Sequence, residues 1–300
     1  MNAGAKLGTY GVALLALLGA GAAVGNAAGP IDVGGAAAHD SHGPATEETS
    51  GSSELPAGGL LVSQDGYTLA VEDRTLTPGA EFGFTITGPD GEVVETYQDL
   101  HDRELHLIVA SRDLQSYAHL HPTRDDDGRW SIELPDLPAG AYRAFADFQP
   151  AGADQYTLGI DLTAPGAATA AEPLRPRATD EVDGFEVSLD RDGSEASSEV
   201  TVTVRRDAEV VTTEPYLGAA GHLVALRDGD LAYLHVHPLD EEPAGPVRFA
   251  VEVPSAGTYA LFFDFQVDGQ VRTARFVIDE GDAAAPAHSD APAHADDATH

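Results

Sequence analysis

A chain of 300 residues has room for about two ordinary domains, and its 42% apolar content is enough for real cores. Its formal net charge of −34 argues against nucleic acid and acidic lipid surfaces, and favours cations as partners. There is no Cys and the single Met is residue 1, which excludes a disulfide framework and thiolate metal sites and weighs against a copper(I) carrier with sulfur ligands.

Residues 7–25 form one uncharged, mostly apolar run, preceded by Lys6 and followed by Asp32 and Asp40. That charge order keeps the N-terminus in the cytoplasm and sends the remainder outside. The run reads as a transmembrane anchor within residues 1–28, with a cleaved signal peptide as the alternative. Residues 29–58 are Gly, Ala, Ser, Glu and Pro with few large apolar groups, and read as a disordered spacer. The expected location is the cell membrane, single-pass, with exported C-terminal domains, or a secreted protein if the leader is removed.

From Leu60 the texture becomes short alternating runs. Gly66 to Val71, Glu81 to Ile86, Glu92 to Thr96, Glu104 to Ala110, Arg129 to Leu134, Ala141 to Phe148 and Tyr156 to Leu162 read as strands. Gly88-Pro-Asp-Gly91 marks a hairpin, and Asp125-Asp-Asp-Gly128 reads as a turn rather than a calcium loop, because it lacks alternating ligand spacing and a closing Glu. Residues 164–181 are Ala- and Pro-rich and read as a linker between repeat 1 (59–163) and repeat 2 (182–280). In repeat 2, Gly184 to Leu189, Glu199 to Arg205, Val247 to Val253, Thr258 to Gln266 and Val271 to Asp279 echo the first unit. The predicted fold is all-β: two tandem antiparallel β-sandwiches, immunoglobulin-like or cupredoxin-like, side by side. The tail 281–300 carries His288, His294 and His300 in an acidic, low-complexity segment that cannot build a core.

The repeats share a constellation. Tyr117-Ala-His-Leu-His-Pro122 returns as Tyr233-Leu-His-Val-His-Pro238. His106 lies thirteen positions before His119, as His222 does before His235. A Gly-x-Tyr-x-x-Phe-x-Asp-Phe-Gln segment follows each, ending at Gln149 and Gln266. Strand positions i and i+2 project from one face, so His119 and His121 point together, as do His235 and His237. Pro122 and Pro238 place the second histidine of each pair at a strand end. A thirteen-residue return brings His106, or His222, alongside. Asp147 and Asp264 stand in apolar strands, where a carboxylate is costly unless paired or bound to a cation. Three imidazoles and a carboxylate per repeat suit Cu(II) or Zn(II). The competing reading makes the histidines cross-strand hydrogen-bonding groups in tandem immunoglobulin-like domains that bind a protein partner. A metallohydrolase is a third reading, but no repeated Glu or His is placed as a general base beyond the ligands. His101 has no counterpart in repeat 2, and the tyrosines of the two Gly-x-Tyr segments read as structural corners.

His106-Leu107, His119 to Pro122 and Pro138 to Phe148, repeated as His222-Leu223, His235 to Pro238 and Pro254 to Phe265, carry a resemblance. The pattern resembles exported bacterial β-sandwich proteins described as heavy-metal-binding or copper-associated and, more distantly, cupredoxin-type and copper-resistance domains. The resemblance implies a non-catalytic, extracytoplasmic protein that sequesters or delivers a divalent metal. Without a Cys or an axial Met the chain departs from blue-copper proteins, which argues against electron transfer.

Overall fold

The computed structural model describes residues 57–192, 197–234, 236–239, 245–253 and 255–281. The expected anchor, nearly all of the spacer and the His-rich tail lie outside the described residues, as does His235. Among the described residues no helix is long and apolar enough to cross a membrane.

In the first repeat ten strands follow in chain order. They are Ser63–Gln64 (β1), Tyr67–Val71 (β2), Glu81–Thr87 (β3), Tyr97–Gln98 (β4), Leu105–Ser111 (β5), Tyr117–Leu120 (β6), Thr123–Arg124 (β7), Trp130–Glu133 (β8), Gly140–Pro150 (β9) and Tyr156–Ala164 (β10). The second repeat has Thr179–Val182 (β11), Phe185–Asp192 (β12), Ser197–Arg206 (β13), Glu209–Val210 (β14), His222–Arg227 (β15), Tyr233–Leu234 (β16), Val236–Pro238 (β17), Val247–Glu252 (β18), Gly257–Val267 (β19) and Gln270–Glu280 (β20). Every pairing between these strands is antiparallel. Repeat 1 has an outer sheet, β1-β2-β3-β8-β7, and an inner sheet, β10-β9-β5-β6; repeat 2 has an outer sheet, β11-β12-β13-β18-β17, and an inner sheet, β16-β15-β19-β20.

The side-chain period of two explains the layering. Along β5, Leu105, Leu107 and Val109 enter the core that repeat 1 closes between its own sheets. The alternate residues Ile108 and Ala110 enter a third apolar cluster, together with Leu114 and Phe145 of repeat 1 and Val224, Leu226, Leu231, Tyr233, Ala260 and Phe262 of repeat 2. On β19, Tyr259, Leu261, Phe263 and Phe265 face repeat 2's own core, while Ala260 and Phe262 face the third cluster. The inner sheets therefore pack against each other, and their strands are apolar on both faces. This is why β5 is buried at every position. The two repeats are joined through an apolar interface rather than merely tethered.

That interface is close to two-fold symmetric. Tyr117 stacks on Phe262 with ring centroids 4.1 Å apart, and the counterpart pair, Tyr233 and Phe145, stands at 5.7 Å. Each repeat offers the same patch to the other, as in an isologous dimer. The end of the spacer straps one side. Gly58 accepts the Tyr233 amide at 2.9 Å, Gly59 donates to Thr157 at 2.8 Å, and Arg143 donates to the carbonyls of Gly59 and Leu60. Gly59 has φ +75°, and a Cβ there would lie 2.4 Å from the Phe145 ring, so only glycine fits.

Local expectations sort cleanly. Gly91 donates to Gly88 at 3.0 Å, closing the first hairpin, and Asp125 Oδ1 accepts from the amides of Asp127 and Arg129, an Asx turn between β7 and β8. The tyrosine corners form, with Tyr142 donating to the Pro138 carbonyl at 2.7 Å and Tyr259 to Ser255 at 2.8 Å. The strand expected over residues 92–96 does not form: after one bridge, Thr87 to Val93, the chain leaves the sheet. Val94 still donates to the Ile86 carbonyl at 2.8 Å before the chain turns away.

Candidate metal centre

The His-x-His-Pro segment marks the place where the chain changes sheets. β6 is bonded to β5 in the inner sheet, β7 to β8 in the outer one, and the crossing occurs at His121 and Pro122. Repeat 2 crosses between β16 and β17. In repeat 1 the proline cannot donate to a ladder and β6 ends at Leu120, just before the crossing, whereas in repeat 2 Pro238 lies within β17, opposite Phe249. His106 follows the parity of Ile108 and Ala110 on β5, and His222 that of Val224 and Leu226 on β15. Asp147 follows Phe145 on β9, and Asp264 follows Phe262 on β19. All four point into the inter-repeat layer.

His106, His119 and His121 converge there, with their ligating nitrogens within 4.8 Å of one another. His106 Nδ1 stands 3.0 Å from His119 Nε2 and 3.2 Å from His121 Nε2. The ring centroids are 5.2, 5.0 and 4.8 Å apart. Two ligands with metal bonds of about 2.05 Å lie about 3.3 Å apart in a tetrahedron and about 2.9 Å apart in a square plane. The two separations from His106 Nδ1 fall within that range.

Hydrogen bonds fix the tautomers. His106 donates from Nε2 to the Leu100 carbonyl at 2.8 Å, so its Nδ1 presents a lone pair. His119 donates from Nδ1 to Asp264 Oδ2 at 2.7 Å, so in the neutral ring its Nε2 does the same. Two lone pairs 3.0 Å apart repel unless a proton or a metal ion lies between them. The acceptors behind the rings, a backbone carbonyl and a carboxylate, are those that orient metal-binding imidazoles.

Burial, reinforced by the neighbouring His119, pushes the His106 pKa down to about 2. The same two causes bring His121 to about 3. Burial brings His222 to about 4, against the upward pull of its bond to the Tyr216 carbonyl. These rings are neutral at neutral pH, which is the form that ligates a metal.

The carboxylate arrives from an unexpected direction. His106 and Asp147 are directly paired across β5 and β9, yet Asp147 Oδ1 accepts from Gln155 at 2.9 Å and Thr157 at 3.1 Å. Asp147 lines the cavity but stands outside the three-histidine group. The carboxylate that engages this group is Asp264 of repeat 2, whose other oxygen accepts from Thr273 at 2.5 Å. Asp264 thus engages a histidine of the other repeat, while Asp147 Oδ1 is engaged by residues of its own.

Of the second set, His222 lies in the cavity and donates from Nε2 to the Tyr216 carbonyl at 2.8 Å, the counterpart of His106 and Leu100. His237 contributes backbone to β17, opposite Ala250; its side chain and the whole of His235 lie outside the described residues. Glu104, just before β5, pairs with Arg124 at 3.2 Å.

One cavity residue escaped the sequence reading. His101 has its ring 5.2 Å from His222 and 6.2 Å from His106. It occupies a tight turn with φ values of 49° at His101 and 59° at Asp102. The matching turn in repeat 2 has Leu217 and Gly218 at 51° and 72°. His101 was set aside because Leu217 replaces it; aligning the turns rather than the histidines would have placed it. The cavity measures about 40 Å³. That is room for an ion or a few waters, at roughly 15 Å³ each, and too little for an organic substrate.

No curated protein matches the chain. Among solved structures, a DUF4426 family protein from Pseudomonas aeruginosa PAO1 is 14% identical over 34% of this chain and 94% of its own, with a TM-score of 0.26. A β-glucuronidase from Parabacteroides merdae is 9% identical, with a TM-score of 0.20 over 72% of this chain, which spans 24% of the enzyme. Domains 4 and 5 of the S-layer protein SbsC are 9% identical over 73% of this chain and 98% of theirs, with a TM-score of 0.20. Likenesses this distant carry no functional argument. Two matches to one family model, over residues 62–165 and 180–281, cover more than half of the sequence, and the chain belongs to the family described as a domain of unknown function (DUF8832).

Proposed function

We propose that this protein binds a divalent metal ion, Cu(II) or Zn(II), for sequestration or delivery outside the cytoplasm, without catalysis. His106, His119 and His121 ligate the ion, and Asp264 holds His119 in the ligating tautomer. The observation that carries this reading is the pair of lone-pair nitrogens aimed at one another at 3.0 Å, each with its N–H committed elsewhere. The repeated His-x-His-Pro pattern and its resemblance to heavy-metal-binding proteins support it, as does the net charge of −34, which concentrates cations. In this reading the sandwiches are immunoglobulin-like or cupredoxin-like, the N-terminal segment tethers them to the membrane, and the His-Asp tail gathers ions weakly.

Titration of the full chain with Zn(II) or Cu(II) tests it. A tight phase should vanish in the His106→Ala, His119→Ala, His121→Ala triple variant, while weak binding by the tail persists. A tight phase of unchanged affinity in the triple variant would refute the proposal.

One observation favours a second reading. His119 and Asp264 are both nearly buried, and a protonated His119 bridging Asp264 and His106 would satisfy the same distances as an inter-repeat strut. Tandem domains that bind a protein partner would then use the histidines structurally, and the full chain would show no tight phase.

A further inference from the structure

We infer that His222 is the fourth ligand of the metal centre, so that one ion is held by both repeats at once. The inference rests on the metal-binding reading above and names how that site is completed.

Three observations lead to it. First, His222 is presented as His106 is. Its Nε2–H is committed to the Tyr216 carbonyl at 2.8 Å, which leaves Nδ1 as the free lone pair of a buried ring. Second, its ring stands next to the three-histidine group, although outside the set whose nitrogens lie within 4.8 Å of one another. Imidazoles arranged tetrahedrally on one metal have ring centroids about 5.2 Å apart, given bonds of about 2.05 Å. The first three rings meet that spacing at 4.8 to 5.2 Å, and His222 stands 6.2 Å from His106 and 6.1 Å from His119. Closing these two distances takes a movement of about 1 Å, the scale on which packed interfaces adjust. Third, among the described residues the other donors lining the cavity are worse placed. The Asp147 oxygen described above is taken by Gln155 and Thr157. His101 leans on His222, at 5.2 Å, and belongs to a turn at the cavity's rim.

The consequence is a clasp. Three ligands come from β5 and the β6 crossing of repeat 1, while the fourth and the carboxylate behind His119 come from β15 and β19 of repeat 2. An ion that needs both repeats binds only the closed arrangement and stabilises it by mass action.

The test counts imidazoles. The full-length chain, with His288, His294 and His300 changed to Ala to silence the tail, receives less than one equivalent of Cu(II). Pulsed EPR then reads the number of coordinated imidazole nitrogens, and chelator competition reads the affinity. The unaltered site should show four imidazoles. His222→Ala should show three, with affinity lower by on the order of 100-fold, and His101→Ala should keep four. An affinity and imidazole count unmoved by His222→Ala would overturn the inference while leaving the metal-binding reading intact, and so would a loss confined to His101→Ala. Absence of tight binding in the unaltered site would instead overturn the metal-binding reading, and this inference with it. Retention of three imidazoles in His222→Ala doubles as the control that the variant is folded.

Discussion

Asp264→Asn isolates the contribution of the other repeat to the centre. The side chain keeps its shape, and its carbonyl can still accept from His119 Nδ1, so only the charge and one acceptor are lost. The bond is short, at 2.7 Å, and both side chains are nearly shielded, with exposures of 6% and 3%, so water screens little of the change. A metal on Nε2 makes the ring more cationic, and the carboxylate stabilises that form more than the free one. Groups in this position behind a metal-bound histidine are worth about 10- to 100-fold in affinity, or about 1.4 to 2.7 kcal/mol. Zn(II) competition against a chromophoric chelator at pH 7.5, on the full chain, should show a dissociation constant raised by that factor. An unchanged constant in a variant with unchanged circular dichroism would refute the reasoning. A loss of thermal stability with unchanged metal affinity would favour the strut.

Two further outcomes follow from the same layer. His106 and His222 have pKa values held down at about 2 and 4, so below the ordinary value of 6.5 the unfolded chain binds more protons than the folded one. Stability unaffected by these groups above pH 6.5 is lost as pH falls through that value, by about 1.4 kcal/mol each at pH 5.5 and about 3 kcal/mol together. Urea unfolding of the metal-free chain at pH 7.5 and 5.5 measures it, and equal stabilities would contradict the neutral, buried assignment. Phe262→Ala removes a ring stacked 4.1 Å from Tyr117 and should cost about 3 to 5 kcal/mol by cavity formation. A cost below about 1 kcal/mol in urea unfolding would mean that the inter-repeat layer contributes little packing.

The sequence made the strands, the duplication and the histidine constellation visible, because a period of two and a repeated motif are local signals. It also flagged both aspartates: a carboxylate between phenylalanines needs a partner, and Asp264 has one in His119. What local pattern could not supply was the identity of that partner, 145 residues earlier in the chain. The apolar density of Glu104 to Ala110 was read as a central strand, which was correct as far as it went. A strand buried at every position also needs cover on its second face, and alternation alone does not say that the cover is the other repeat. His101 was invisible for a related reason. Its role comes from a turn whose backbone matches Leu217 and Gly218, and a comparison of side chains discards it.

Symmetry gives these details a common cause. When two like sheets pack face to face about a two-fold axis, any residue near the axis meets its own counterpart, and residues away from it exchange partners. His106 and His222 are the near-axis pair, 6.2 Å apart; the Tyr117–Phe262 and Tyr233–Phe145 stacks are the exchanged ones. A polar group on such a strand is therefore presented to the other repeat by the same geometry that buries its apolar neighbours, which is why Asp264 orients a histidine outside its own sandwich. Joining the copies in one chain adds what two identical chains could not have. The near-axis turn carries His101 on one side and Leu217 on the other. The convergence of the described histidines therefore depends on the packing of Phe262 and Phe145, which hold the two inner sheets together.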